Sequence, residues 1–162
     1  MSGNIADALE RLSLALRINS NSVWSHVVRG AALLFTGQPS EGREAMLSAL
    51  RLSPRDPLNV IPSMQIGISY YFERDYLSAF GQLKQVTTRL PDFPLPYRFL
   101  AASLGQLGHH DEAQTALRQC IAVSPASFDF YVRSRPPWFR LEDYEHMLEG
   151  LRKAGWDAQE NA

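Results

Sequence analysis

The 162-residue sequence predicts an all-α fold, a right-handed solenoid of antiparallel helical hairpins finished by a C-terminal capping helix. Three observations predict it: prolines at a near-constant interval, small residues recurring at matching points between them, and one amphipathic segment beyond the last of these prolines. Pro54, Pro91 and Pro125 follow Leu-Ser, Arg-Leu and Val-Ser pairs at spacings of 37 and 34 residues, and Ser20 lies 34 residues before Pro54. Proline has no N–H to give a helix and disfavours helix in the residue before it, so each marks the end of one hairpin.

Internal positions repeat in the same register. The second helix of each hairpin pairs a small with a large apolar residue: Ala8 with Leu12, Gly42 with Met46, Ala79 with Leu83, Ala113 with Leu117. Three residues further on stand Ala15, Ala49, Val86 and Cys120. The first helices carry Gly30, Gly67 and Ala101, followed by Leu33, Tyr70 and Leu104. Antiparallel helices approach closely only where small side chains meet, and large apolar neighbours fill the flanking holes. A 34-residue helical hairpin with this pattern resembles the tetratricopeptide repeat, and Leu107-Gly108-His109-His110-Asp111-Glu112-Ala113 is typical of that family.

In chain order, helices are expected near 5–18, 22–36, 40–52, 58–72, 76–89, 95–107 and 111–123. Turns fall at 36–40, 73–75 and 108–111. This gives an array over 1–125: the second helix of one repeat (4–20) and three full repeats (21–54, 58–91, 94–125). The wider spacing after Pro54 predicts that the helix from 58 is longer by about a turn, with Pro62 bending it or marking its true start.

Beyond Pro125 the period fails, leaving an extension over 126–162. Ser127–Arg133 can begin a further helix, which Pro136-Pro137 stops. The segment 142–154 places Tyr144, Met147, Leu148 and Leu151 on one face. Its acidic first turn (Glu142, Asp143), basic last turn (Arg152, Lys153) and following Gly155 suit the helix dipole and a glycine cap. It reads as the element that covers the last open face of the solenoid, or as a docking arm for another subunit.

Sixteen basic against seventeen acidic residues leave a net charge of −1, which disfavours nucleic acid as a partner. Arg133, Arg135 and Arg140 gather on a proline-containing stretch and read as a solvated loop. The lone Cys120 excludes an internal disulfide and suits a reducing compartment. No window approaches the roughly 18 apolar residues of a membrane span, and no signal-peptide core opens the chain. A cytoplasmic location is expected. Met1-Ser2-Gly3 leads almost directly into an amphipathic segment, as if the chain began inside a larger protein.

Two phrases narrow the resemblance: Leu50-Arg51-Leu52-Ser53-Pro54-Arg55-Asp56-Pro57-Leu58, and Arg135-Pro136-Pro137-Trp138-Phe139-Arg140-Leu141-Glu142-Asp143. With the 37-residue spacing and the run Leu151-Arg152-Lys153-Ala154-Gly155-Trp156, they resemble the C-terminal tetratricopeptide regions of bacterial class III adenylate/guanylate cyclases and related winged-helix regulators. That resemblance implies a cyclase domain upstream, holding the metal-binding aspartates and nucleotide site, and a regulatory role without catalysis for the present residues.

The tetratricopeptide resemblance implies a binding groove lined by the first helices: Trp24, Val27, Ala31, Leu34 and Phe35; Ile61, Met64, Ile68, Tyr71 and Phe72; Leu95, Arg98, Ala102, Gly105 and Gln106. Trp24, Val27, Met64, Ile68, Tyr71, Phe72, Arg98 and Ala102 are the candidate partner-binding residues. Related modules that hold the acidic C-termini of heat-shock chaperones use Lys and Asn where this sequence has Val27/Ala31, Met64/Ile68 and Arg98/Ala102. Only Arg98 could serve there, so such a clamp is not expected. An apolar, aromatic groove calls for a protein or peptide with an apolar face, a second copy of the chain, or the chain's own tail. Phe128, Phe130, Tyr131, Trp138 and Phe139 make that tail a ligand in its own right.

No catalytic, cofactor or metal residue is expected. His109 and His110 adjoin Asp111 and Glu112, but neighbours in sequence do not share a helix face, and turn polarity accounts for them. His26 and His146 have no motif partner. Cys120 sits where a crossing needs a small residue, which makes it a structural thiol. Gly-rich phosphate loops, nucleophile elbows and zinc spacings do not occur. A protein-interaction module leads, a self-association module or a stand-alone tetratricopeptide adaptor follows, and an independent enzyme is disfavoured.

Overall fold

The structure is a computed structural model, described over residues 2–157. Nine α-helices follow one another among those residues: α1 (Ser2–Ile18), α2 (Val23–Phe35), α3 (Pro39–Leu52), α4 (Val60–Phe72), α5 (Tyr76–Arg89), α6 (Pro94–Leu107), α7 (His110–Val123), α8 (Pro125–Arg133) and α9 (Leu141–Lys153). Three hairpins, α2/α3, α4/α5 and α6/α7, stack through α3 on α4 and α5 on α6, and α1 packs on α2.

The starts and stops have local causes. Pro39, Pro94 and Pro125 occupy the first turns of α3, α6 and α8, where a missing N–H costs nothing. Asp75 Oδ1 accepts the Ser78 N–H at 3.1 Å and Ser22 Oγ the Ser25 N–H at 3.4 Å, capping α5 and α2. Four helix ends close in one way, with an N–H reaching back five residues: Gln38 to Leu33, Asp75 to Tyr70, His109 to Leu104 and Trp156 to Leu151. The residue before each donor takes a left-handed conformation, as that closure requires. Three of these are glycines (Gly37, Gly108, Gly155); the fourth is Arg74, at φ 65°.

The repeat positions carry the hairpin crossings. At the α2/α3 crossing the backbones nearly touch: a Cβ on Gly42 would lie 2.8 Å from the Gly30 carbonyl oxygen. Ala79 with Leu83, Ala113 with Leu117, and Ala49, Val86 and Cys120 are all buried. Ala8 is exposed and Leu12 half-buried: α1 packs mainly on α2 and has no helix before it to stack on among the described residues.

Two expectations require correction. The helix from 58 is not a turn longer: the extra residues form a 3-10 turn at Pro57–Asn59, and α4 begins at Val60. Pro62 falls in the first turn of α4, two residues after its start at Val60, where a missing N–H is tolerated. Pro125 does not merely close α7; it opens α8 after the single residue Ser124.

Candidate functional site

Helices α2, α4 and α6 line the inner face of the array, and the chain lays its own C-terminal segment across much of it. Helix α9 packs along α6 at a crossing made by glycines. A Cβ on Gly105 would lie 2.3 Å from the Gly150 carbonyl oxygen, and one on Gly150 would lie 2.9 Å from the Ala102 Cβ. Met147 and Leu151 are wholly buried there, with Tyr144, Ala154 and Trp156 close to it.

A polar latch joins α9 to the α4/α5 turn. The Tyr71 hydroxyl donates 2.8 Å to the His146 carbonyl, and the two rings stack with centroids 4.7 Å apart. Arg74 donates to His146 Nδ1 at 3.0 Å, and Tyr76 Oη lies 3.3 Å from Nε2. The same Arg74 nitrogen lies 3.4 Å from Nε2, and the Glu149 carboxylate lies 3.7 Å from Nδ1, so the imidazole sits between a cation and an anion. Burial and the Arg74 charge hold the imidazole below its ordinary range. Burial raises the Tyr71 phenol far above its own.

The segment between α8 and α9 closes the rest. Phe139, 1% exposed, packs against Phe35 at 5.4 Å, Phe72 at 5.7 Å and Tyr144 at 5.7 Å. Trp138 lies edge-on to Phe35 at 4.7 Å and remains 42% exposed. These tilted and edge-to-face pairs stabilise by about 0.5–1.5 kcal/mol each beyond their buried area.

The eight predicted groove residues therefore meet different fates. Met64, Ile68, Tyr71, Arg98 and Ala102 are buried, Phe72 is half-buried under Phe139, and Val27 packs with Met46, Ala49 and Ile66 in a second small core. Trp24 is 51% exposed, with Val28 at 49% one turn along α2. The physical reason is the tail: it covers α4, α6 and the Phe35 end of α2, and leaves Trp24 and Val28 near the start of α2 exposed.

Cys120 is buried, its thiol directed at the Pro94 carbonyl oxygen at 3.7 Å, and burial pushes its pKa up to about 11. That protonated thiol is a packing group. Among the described residues no three His, Cys, Asp or Glu side chains gather as a metal site, and no helix is long and apolar enough to cross a membrane.

Sequence reasoning missed His146, Arg74 and the Gly105/Gly150 crossing. The crossing had a signal: Gly150 and Ala154 lie one turn apart beside Met147 and Leu151, the same small-beside-large pattern as the repeats. The Arg74 turn had none, since nothing in its sequence marks a left-handed arginine.

Residues 94–119, most of α6 and α7, match the tetratricopeptide repeat family model. No curated protein sequence matches the chain. Solved structures similar to it include MamA (16% identity, covering 94% of this chain and 88% of that one, TM-score 0.68). MamA residues 41 to the end from Desulfovibrio magneticus RS-1 are similar too (18%, 95% and 85%, TM-score 0.69). So is YrrB, described as a TPR protein with an unusual peptide-binding site (18%, 94% and 77%, TM-score 0.62). At these identities the likeness is one of fold. Over its described residues the chain is an all-helical solenoid with a tetratricopeptide-like fold, and residues 94–119 match the repeat family.

Proposed function

We propose that this tetratricopeptide scaffold engages a protein partner with an apolar or aromatic face at the α2 end of its inner surface. The observation that carries this is the division of that surface: the chain's own tail covers α4, α6 and the Phe35 end of α2, while Trp24 and Val28 stand half-exposed near the start of α2. A half-exposed Trp one helical turn from a half-exposed Val is an aromatic anchor waiting for a pocket. YrrB's description as a peptide-binding protein of this fold supports a peptide or protein ligand.

Panning a random peptide library against the intact chain tests it. Enriched peptides should carry aromatic or large aliphatic residues and bind at least ten-fold more weakly to Trp24→Asp, with its melting temperature unchanged. Undiminished binding to a folded Trp24→Asp variant would overturn this placement.

The finer setting also belongs to this proposal: the regulatory, non-catalytic part of a cyclase-like bacterial signalling protein, working in the cytoplasm. Its support is the sequence likeness over 50–58 and 135–143. Sequencing the gene upstream of Met1 tests it, and an upstream frame without a cyclase or winged-helix domain would remove it. Self-association is the second reading, favoured by one feature: α9 is tethered by the segment 134–140, so a neighbouring copy could supply the same helix to the same face. Concentration-dependent dimers in sedimentation velocity, abolished with the tail contacts, would favour it over the first.

A further inference from the structure

The structure assigns a second site to this protein: a largely enclosed cavity in the inner face that binds a small free carboxylate or oxyanion through Arg98 and Gln65. The cavity has a volume of about 80 Å³ and lies between Phe35 of α2, Gln65 of α4, Arg98 of α6 and the covering side chains Tyr131 and Trp138. A water needs roughly 10–15 Å³ of such space, so there is room for a ligand of four or five heavy atoms.

Arg98 is the reason to expect an anion. It is only 3% exposed, and its Nε has no hydrogen-bond partner. Its guanidinium carbon lies over the Tyr131 ring at 3.9 Å from the centroid, with the Phe99 ring at 5.6 Å. The groups that bear on it electrostatically are Cys120, Tyr131 and Tyr144, none of them a carboxylate. Burial depresses its pKa to about 10, so it remains a cation at neutral pH. An uncompensated buried cation is costly, and buried charges are ordinarily paired. A cation–π contact uses none of the guanidinium's N–H groups, and the unpartnered Nε–H is left for an anion.

Gln65 adds the second half of the recognition. Its Oε1 is also buried without a partner, on the same cavity. An acceptor beside a cation suits an anion that carries its own donor, such as a 2-hydroxy acid. The tail makes the site selective for a free ligand, because Tyr131, Trp138 and Phe139 line the cavity and leave little width for a peptide chain. The site is separate from Trp24, and the two proposals can fail independently.

Thermal melts of the intact chain test it, with sodium chloride exchanged for sodium acetate or sodium glycolate at constant ionic strength. Wild type should melt about 2–4 °C higher in 100 mM glycolate, with a smaller rise in acetate. Arg98→Met should lose both rises. Gln65→Leu should keep the acetate rise and lose the extra one in glycolate, and it remains informative if Arg98→Met does not fold. Equal shifts in wild type and Arg98→Met, or no shift in wild type, would overturn the site. So would a flat response to both salts alongside ten-fold tighter binding of a peptide with a free C-terminus than of its amide.

Discussion

The Tyr71 hydroxyl donates a 2.8 Å hydrogen bond to the backbone carbonyl of His146, seventy-five residues along the chain. Tyr71 is completely buried. The bond therefore ties the second hairpin to the last helix where water cannot compete. Tyr71→Phe keeps the ring stacked on His146 and removes only the donor, and should cost about 1 kcal/mol. Tyr71→Ala also opens a cavity and should cost about 3–5 kcal/mol. Urea unfolding of both variants checks the ratio. Equal losses would mean that the hydroxyl, and not the ring, carries the contact.

Arg74 occupies the left-handed position that glycine fills in three sister turns, and its side chain reaches His146. The turn thus accepts backbone strain while gaining a contact to α9. Arg74→Ala keeps the strain and loses the contact; Arg74→Gly loses both. The glycine variant should be the more stable of the two by about 1 kcal/mol. An alanine variant equal to the glycine variant in thermal melts would remove strain from this account.

His146 makes stability depend on pH. Arg74 and Lys153 beside it oppose its protonation, Glu149 favours it, and burial outweighs the rest, so its folded pKa lies below the ordinary 6.5. The unfolded chain then binds the proton more readily, and stability falls as pH drops through 6.5, levelling off below the folded value. Glu149 and Asp75, both lowered, lose their contributions only below their ordinary 4.5 and 3.8, a separate window. His146→Gln should flatten the slope between about pH 7 and 5 in urea titrations. A slope unchanged in that variant would place the dependence elsewhere.

The array was legible in the sequence because each hairpin repeats one physical requirement. Gly30 opposite Gly42, and Ala79 beside Leu83, recur at a fixed interval, so four weak signals reinforce one another. The tail was legible as an amphipathic helix with the right caps, but its landing site was not. That site depends on Gly105 and Gly150, 45 residues apart in sequence, which meet only once the hairpins have stacked. Arg98 was singled out for its charge on an otherwise apolar face. Its lack of a partner is a property of the folded tail, which brings Tyr131 to it and no carboxylate.

Gly150 is the residue whose size decides whether the tail stays docked. Added bulk there meets Tyr71 Oη at 2.5 Å and Ala102 Cβ and carbonyl oxygen at 2.9 Å, and two of those atoms belong to the α6 crossing and cannot swing away. Gly150→Leu should therefore lift α9 from α6, uncover Tyr71, Phe72 and Phe99, and raise binding of a hydrophobic dye. Overpacking alone costs about 1–3 kcal/mol, and the lost burial of Met147 and Leu151 adds about 1.5–3 kcal/mol for each side chain. Gly81 provides the contrast: it lies inside α5 with nothing within 4 Å of an added Cβ. Gly81→Ala should stabilise the protein by about 0.5–1 kcal/mol, because alanine loses less backbone freedom in a helix. Dye fluorescence and thermal melts of the two variants side by side check both signs. A Gly150→Leu protein that melts with wild type and stays dye-silent would mean that α9 does not seal the inner face.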